Sequence, residues 1–385
     1  MSKGKVTVVS LALHRSSGGP TKTIACFKDA LHAELYSFFD AKKIQLDPVG
    51  VDGANIVKVF NIPIAKQFMW ASRRALLQAE ESFSQSSIVS CHSFYRYHAL
   101  WVSHMSRKYG VPYWFVPHGI LDPWVMDKGR CVKQLYWKSG GRAFLENAST
   151  VIFSTSAERD KATSQFDLPE SEVIPWPVAL VDCSDQVRRR NQIREELKIP
   201  HEAKVLIYFG RLHTMKKPLE TIRAVASGGD DNLHLLIVGN EQDISLKDCF
   251  RVAEELGVNE RVHLVGPVYG KKKYDYLLAA DAYISLSFRE NFNHTAAESL
   301  SAGLPLILSP GNDLQGDIAS EHCSWGLSDN EPKTASDAIE AFNSLSFEEL
   351  AEMGNRGRDW VGRNLEFSKF AERIQSVANQ YGKIR

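Results

Sequence analysis

Ser287-Phe288-Arg289-Glu290-Asn291-Phe292-Asn293-His294-Thr295-Ala296-Ala297-Glu298-Ser299-Leu300-Ser301-Ala302-Gly303-Leu304-Pro305 follows an apolar run at 282–286 and leads into another at 304–308. A strand ends, a short turn follows, and a helix of small residues starts near Thr295. A second strand, broken only by Pro305, comes after Ala302-Gly303. Strand, helix, strand is a βαβ unit, and such units build parallel sheets. Two carboxylates punctuate it. Glu290 stands in the turn, where it can accept hydrogen bonds from sugar hydroxyls. Glu298 stands in the helix, where it can clamp a ribose diol. The unpaired N–H groups of the helix start suit a phosphate. Taken alone, an acidic turn beside a solvated helix glutamate explains the same pair.

Outward from this stretch the pattern repeats. Strand-like runs lie at 205–209, 233–238 and 262–265, after a charged helix at 188–197. In the first half they lie at 6–13, 88–91 (ending at His92), 113–116 (ending at Pro117-His118-Gly119) and 151–154. Helical spacing begins near Thr21 with Ile24, Phe27, Ala30, Leu31 and Leu35, and again after Ser156. Val173-Ile174-Pro175-Trp176-Pro177 reads as an extended connector. A last helix at about 367–381 carries Phe370, Ile374 and Val377 on one stripe. Two α/β domains with parallel sheets are expected, residues 1–180 and 186–365, and strand topology of this kind puts ligands at the carboxyl ends of the strands, in a cleft between the domains.

Composition agrees with two globular domains. The 385 residues are 44% hydrophobic and 24% charged, which argues against long disorder. Forty-six Lys and Arg balance 46 Asp and Glu, so the overall basicity of a nucleic-acid binder is absent. Residues 1–180 hold 21 basic against 15 acidic side chains, and the remainder carries the opposite excess. That asymmetry fits two domains facing across a cleft, and ordinary scatter fits it too. The six cysteines lie far apart with no C-x-x-C, as expected for reduced thiols in a cytoplasmic protein and not for a zinc ribbon. No apolar run is long enough to span a bilayer, and Met1-Ser2-Lys3-Gly4-Lys5 runs into a strand without a signal-peptide pattern.

A second constellation lies upstream of the opening stretch. Tyr208-Phe209-Gly210-Arg211-Leu212 ends a strand with glycine and arginine, and Lys217 stands six residues beyond Arg211. Two such cations can neutralise a diphosphate as its bond to a sugar breaks, a task often given to a metal. Strand-end glycines at Gly239 and Gly266 let backbone approach a nucleobase. Neither H-E-x-x-H nor a well-placed Asp-x-Asp is present, and Asp230-Asp231 reads as turn chemistry, so no metal site is expected.

In this order, Arg211 with Lys217, Gly239, Val265-Gly266-Pro267-Val268, Ala280-Asp281, and Glu290-x7-Glu298 with Ala302-Gly303-Leu304-Pro305 resemble glycosyltransferase family 4. The resemblance implies the GT-B fold, two facing Rossmann-like domains with an interdomain cleft, and a retaining, nucleotide-sugar-dependent transferase. It implies that Arg211 and Lys217 bind the donor diphosphate. Glu290 and the backbone amides of Phe292 and Asn293 would hold the transferred sugar, with Thr295 at the helix start beside them. Glu298 would bind ribose, and Gly239 and the loop ending at Val268 the base. Gly18 and Gly19 match the family's glycine-rich loop near the donor phosphates. His92 resembles the active-site histidine, and His118 in Pro117-His118-Gly119 resembles a His-Gly segment of members that build surface polysaccharides. The 366–385 helix is expected to return to the first domain.

Three departures stand out: Asn293 where many members have glycine, Pro175-Trp176-Pro177 without the usual Asn-Gly, and Pro218 after the lysine. The implied reaction moves a hexose from a nucleotide-diphosphate donor to a glycan or lipid-linked saccharide, with no metal and no cofactor and with no nucleic acid as partner. Residues 60–74 mix aromatic and basic side chains, which suits a helix docked on the anionic inner face of a membrane. A core-facing stripe of Ile64, Phe68, Ala71 and Leu76 explains them as well. A nucleotide-sugar epimerase, a phosphorylase, or a catalytically idle nucleotide-sugar binder would use the same scaffold.

Overall fold

Two alternating patterns of apolar strands and amphipathic helices give two parallel sheets. The structure, a computed structural model, describes residues 4–11, 13–14, 19–39, 51–127 and 129–382. The chain divides into two compact units, Met1–Pro177 with Phe367–Arg385, and Val178–Glu366.

In the first unit the described strands are β1 (Val6–Leu11), β2 (Glu34–Phe39), β3 (Asn55–Lys58), β4 (Ile88–His92), β5 (Tyr113–Val116), β6 (Val151–Phe153) and β7 (Ser171–Val173). They pair in the order β3-β2-β1-β4-β5-β6-β7, all parallel. The central strands are buried on both faces, which is why they read as continuous apolar runs. The order reverses at β1 and β4, the switch point outside which open α/β sheets bind ligands. His92 is the last residue of β4, and His118 follows β5 by two residues.

Helix Phe367–Tyr381 packs on helix Gly19–Leu31 within this unit. Phe27 meets Phe370 edge-on at 5.1 Å, and the Gln375 side chain donates to the Ala30 carbonyl at 2.8 Å. Its stripe of Phe370, Ile374 and Val377 is buried.

The second unit holds β8 (Lys204–Phe209), β9 (Leu233–Val238), β10 (Val262–Gly266), β11 (Ala282–Ser285), β12 (Leu306–Leu308) and β13 (Ser324–Gly326). Their order is β10-β9-β8-β11-β12-β13, again parallel, with the reversal at β8 and β11. Arg211 follows β8 and Glu290 follows β11, so the topology itself sends both residues to one switch point.

Two local expectations change. Leu35 is not helical: the helix ends at Leu31, His32 takes a left-handed φ of 49°, and Leu35 lies in β2 paired with Val8. Residues 60–74 are not one helix either. Pro63–Gln67 is a short helix, a turn with Met69 at φ 58° breaks it, and a second helix starts at Arg73, capped by Ser72.

Candidate active site

Around the switch point of the second unit, two loops are tied together before any ligand is considered. After β8, the Tyr208 hydroxyl donates to the Arg211 carbonyl at 2.7 Å, which leaves the Arg211 side chain exposed, with one contact to Gln242 at 3.0 Å. The chain then makes a 3-10 turn, Thr214–Lys216, whose start is capped by His213 accepting from the Met215 amide at 3.0 Å. The Met215 carbonyl accepts from the Phe288 amide at 2.8 Å, which joins this turn to the loop after β11.

That turn decides which lysine faces the site, and it is Lys216 and not Lys217. The Lys216 ammonium lies on the Glu290 carboxylate. Burial first, and then the charge of Arg211, pull its pKa down to about 7. Lys217 has a left-handed φ of 53° and turns away, donating to the Asn330 carbonyl at 3.1 Å and pairing with Glu331 at 3.6 Å. A left-handed residue directly before a helix-opening Pro218 is where glycine fits with least strain. The apparent replacement of glycine by Pro218 is therefore a one-residue offset: Lys217 occupies the glycine position, and the lysine before it is Lys216.

Glu290 is fixed on several sides. Its amide donates to the Gly311 carbonyl at 2.6 Å, and its Oε1 accepts from the Ser287 hydroxyl at 3.2 Å. Behind it, buried Asn312 binds the Ser285 carbonyl at 3.1 Å and accepts from the Asn293 side chain at 2.6 Å. Asn293 has a φ of 50° and caps helix His294–Ser301, accepting from the Ala296 amide at 3.2 Å. Asparagine tolerates this left-handed conformation and is a good N-cap, so it replaces glycine here at little cost. The Phe292 ring is buried, Thr295 is half-buried, and the amides of Phe292 and Asn293 donate to no partner among the described residues.

Glu298 is buried on the same helix and carries an ion pair with Lys273, whose ammonium also sits 5.8 Å from the Phe209 ring centre. Val268 is half-buried after β10. Gly239 has a packing reason of its own. A Cβ there would lie 1.7 Å from the Gly210 carbonyl oxygen, so the glycine lets the loops after β8 and β9 touch. Lys216, Lys273 and Asn312 are the site residues that spacing did not reveal. No three His, Cys, Asp or Glu side chains converge as a metal set among the described residues.

In the first unit the histidines are paired. His92 Nδ1 and His118 Nε2 are 2.9 Å apart, and the rings stack with centres 5.2 Å apart. His92 has 0% exposure, and burial, with His118 and His98 adding to it, holds its pKa well below the usual range. His92, which resembles the family's active-site histidine, thus has no exposed surface, and the ring its Nδ1 meets is that of His118. That neighbour, His118, is half-buried, with its φ at 54° and that of Gly119 at 75°. The buried Glu158 carboxylate pins this turn, accepting from the Gly119 amide at 2.6 Å and from the Ser154 amide at 2.8 Å. Trp176 lies 5.6 Å from the His118 ring. Gly19 opens helix Gly19–Leu31, and Gly18 lies outside the described residues.

Comparison with known proteins follows the same division. Residues 189–360 match a family model described as glycosyl transferases group 1, and residues 29–178 match one described as a glycosyl transferase 4-like domain. A D-inositol 3-phosphate glycosyltransferase of Corynebacterium glutamicum is 29% identical over 206 residues, 51% of this chain and 49% of that protein. The chain thus spans about half the length of the curated relatives it matches. Among solved structures, sucrose-phosphate synthase from Thermosynechococcus elongatus superposes with a TM-score of 0.74 at 18% identity, covering 98% of each chain. HepE of Anabaena, in complex with UDP, superposes with a TM-score of 0.77 at 14% identity, covering 98% of this chain and 100% of that one.

Proposed function

Since this chain belongs to the GT4-type glycosyltransferases and has their GT-B fold, we propose that it moves a sugar from a nucleotide-diphosphate donor to a hydroxyl of a glycan or lipid-linked saccharide, with retention at the anomeric carbon. The observation that carries the reading is Lys216 on Glu290 beside Arg211, at the switch point of the second sheet. Arg211 and Lys216 meet the diphosphate in this reading and stabilise the charge it gains on leaving. Glu290 and the amides of Phe292 and Asn293, which have no partner among the described residues, offer an acceptor and two donors to sugar hydroxyls. Glu298 exchanges its lysine partner for ribose hydroxyls. In the transfer, the bond from the anomeric carbon to the phosphate oxygen breaks on the face where the bond to the acceptor oxygen forms. The acceptor proton passes to the departing phosphate oxygen. In the first unit, His118, backed by His92, is the ring proposed to meet a sugar hydroxyl.

Metal-free catalysis is part of the proposal, because the two cations supply the charge a metal would bring. A peripheral membrane position is supported by exposed Phe60, Ile62 and Trp70 beside exposed Lys58, Arg73 and Arg74. No helix among the described residues is long and apolar enough to cross a membrane. The UDP held by HepE makes uridine donors the first to try.

A thermal-shift screen of UDP-, GDP-, ADP- and dTDP-sugars identifies the donor, because a ligand of the native state raises its melting temperature. Transfer from the best donor in EDTA is the expected result. Conversion of the nucleotide sugar with no acceptor would make the chain an epimerase instead. Strict dependence on Mn²⁺ would overturn the metal-free mechanism.

A further inference from the structure

Behind His118 and His92 the polar chain continues into two side chains, Ser90 and Trp114, that the transfer reaction, as described, does not use. Ser90 and Trp114 are register partners on β4 and β5, and Ser90 and His92 point to the same face of β4. The Trp114 indole Nε1 donates to Ser90 Oγ, Ser90 Oγ lies 2.9 Å from His92 Nε2, and His92 Nδ1 lies 2.9 Å from His118 Nε2. Ser90, His92 and Trp114 are all completely buried.

The direction of this chain follows from the donor inventory. An indole N–H can only donate, so Ser90 Oγ accepts from Trp114. The hydroxyl has one proton, and His92 Nε2 is its one other side-chain partner among the described residues. In the reverse order His92 would donate to Ser90 and leave the hydroxyl proton buried without an acceptor, which is costly. Ser90 therefore donates to His92 Nε2. A neutral His92 then carries its proton on Nδ1 and donates it to His118 Nε2. A neutral His118 in turn carries its proton on Nδ1, the nitrogen that His92 does not engage.

We propose that Trp114 and Ser90, acting through His92, are positioning residues that hold His118 as the Nδ1–H tautomer. The use of that tautomer rests on the transferase reading; the tautomer itself rests on the hydrogen-bond chain alone. A ring so fixed carries its proton on Nδ1 and has its basic nitrogen, Nε2, turned to His92. It leaves the leaving phosphate as the acceptor of the proton, and it explains why a sheet interior spends three buried polar residues behind one half-buried ring.

The test is the two-bond ¹H–¹⁵N spectrum of the intact chain labelled in histidine at pH 7.5, with the His118 signals assigned by their loss in His118→Gln. The expected spectrum has His118 protonated on Nδ1 and unprotonated on Nε2. Ser90→Ala, which removes the hydroxyl donor, should shift His118 toward the Nε2–H form, and Ser90→Thr should restore the original pattern. In transfer assays Ser90→Ala should lower kcat about tenfold, with the donor KM little changed and Ser90→Thr close to normal. An Nε2–H His118 in the unaltered protein overturns the proposal, and that spectrum decides even if Ser90→Ala does not fold. An identical His118 tautomer in a folded Ser90→Ala variant overturns it as well. The expected tautomers in a protein without transferase activity would uphold the relay and overturn the transferase reading instead.

Discussion

Lys216 and Lys217 are neighbours with the same chemistry and opposite tasks. Sequence spacing points to Lys217, six residues beyond Arg211, and does not register which way either side chain turns. The choice is made by one backbone angle, the left-handed φ of Lys217, which turns its side chain toward Asn330 and Glu331. Lys216→Ala should therefore cut transfer by about 10²-fold or more, as loss of a positioned charge does. Lys217→Ala should change it only a few-fold. Steady-state kinetics on both variants checks this, and equal losses would mean the assignment is wrong. Arg211, Glu290 and Glu298 could be proposed from the sequence because each stands at a fixed step from a strand end. The burial of His92 could not be, since a strand-end histidine reads the same whether it faces ligand or core.

Among the elements, the glycine after β9 and the helix after β4 each carry a constraint that can be measured. Gly239 leaves no room for a methyl group against the Gly210 carbonyl. Gly239→Ala should destabilise the second unit by about 3 kcal/mol or more, read by urea denaturation, with a nearly unchanged midpoint contradicting the close approach. His98, near the start of helix Tyr97–Tyr109, is fully buried, donates to the His92 carbonyl at 2.9 Å, and has its pKa pushed down to about 4 by burial. That value lies below the 6.5 of an ordinary histidine, so the unfolded chain binds more protons across that interval, and stability falls as the pH drops through it. Between pH 7 and 4.5 this residue alone should cost about 2.5 kcal/mol. His98→Gln, which keeps a donor and removes the titration, should flatten that part of the pH profile; an unchanged slope would contradict it. The sequence showed the long central strands clearly, because they are apolar on both faces. It did not show β2, β3, β7 or β13. Three of these are only three or four residues long, and the fourth, β2, begins three residues after a helix whose apolar spacing runs on into it.

Over the whole molecule, two units with the same doubly wound order came from one sequence rhythm, and that rhythm was enough to infer the architecture. The family resemblance came from strand-end residues of the second unit, where the chemistry sits at fixed distances from the sheet. The first unit was harder to read, since its histidine chain depends on cross-strand register between β4 and β5, which composition does not reveal. The central claim is that fixed cations of the second unit bind the donor diphosphate without help from a metal. It is tested most directly by calorimetric titration, in EDTA, of the nucleoside diphosphate that the donor screen selects into the intact chain and into Lys216→Met. The account expects saturable binding in EDTA and a loss of about 30-fold or more in the variant, equivalent to roughly 2 kcal/mol for one charged hydrogen bond. Equal affinity for both proteins, or binding that appears only when Mn²⁺ is added, would contradict it.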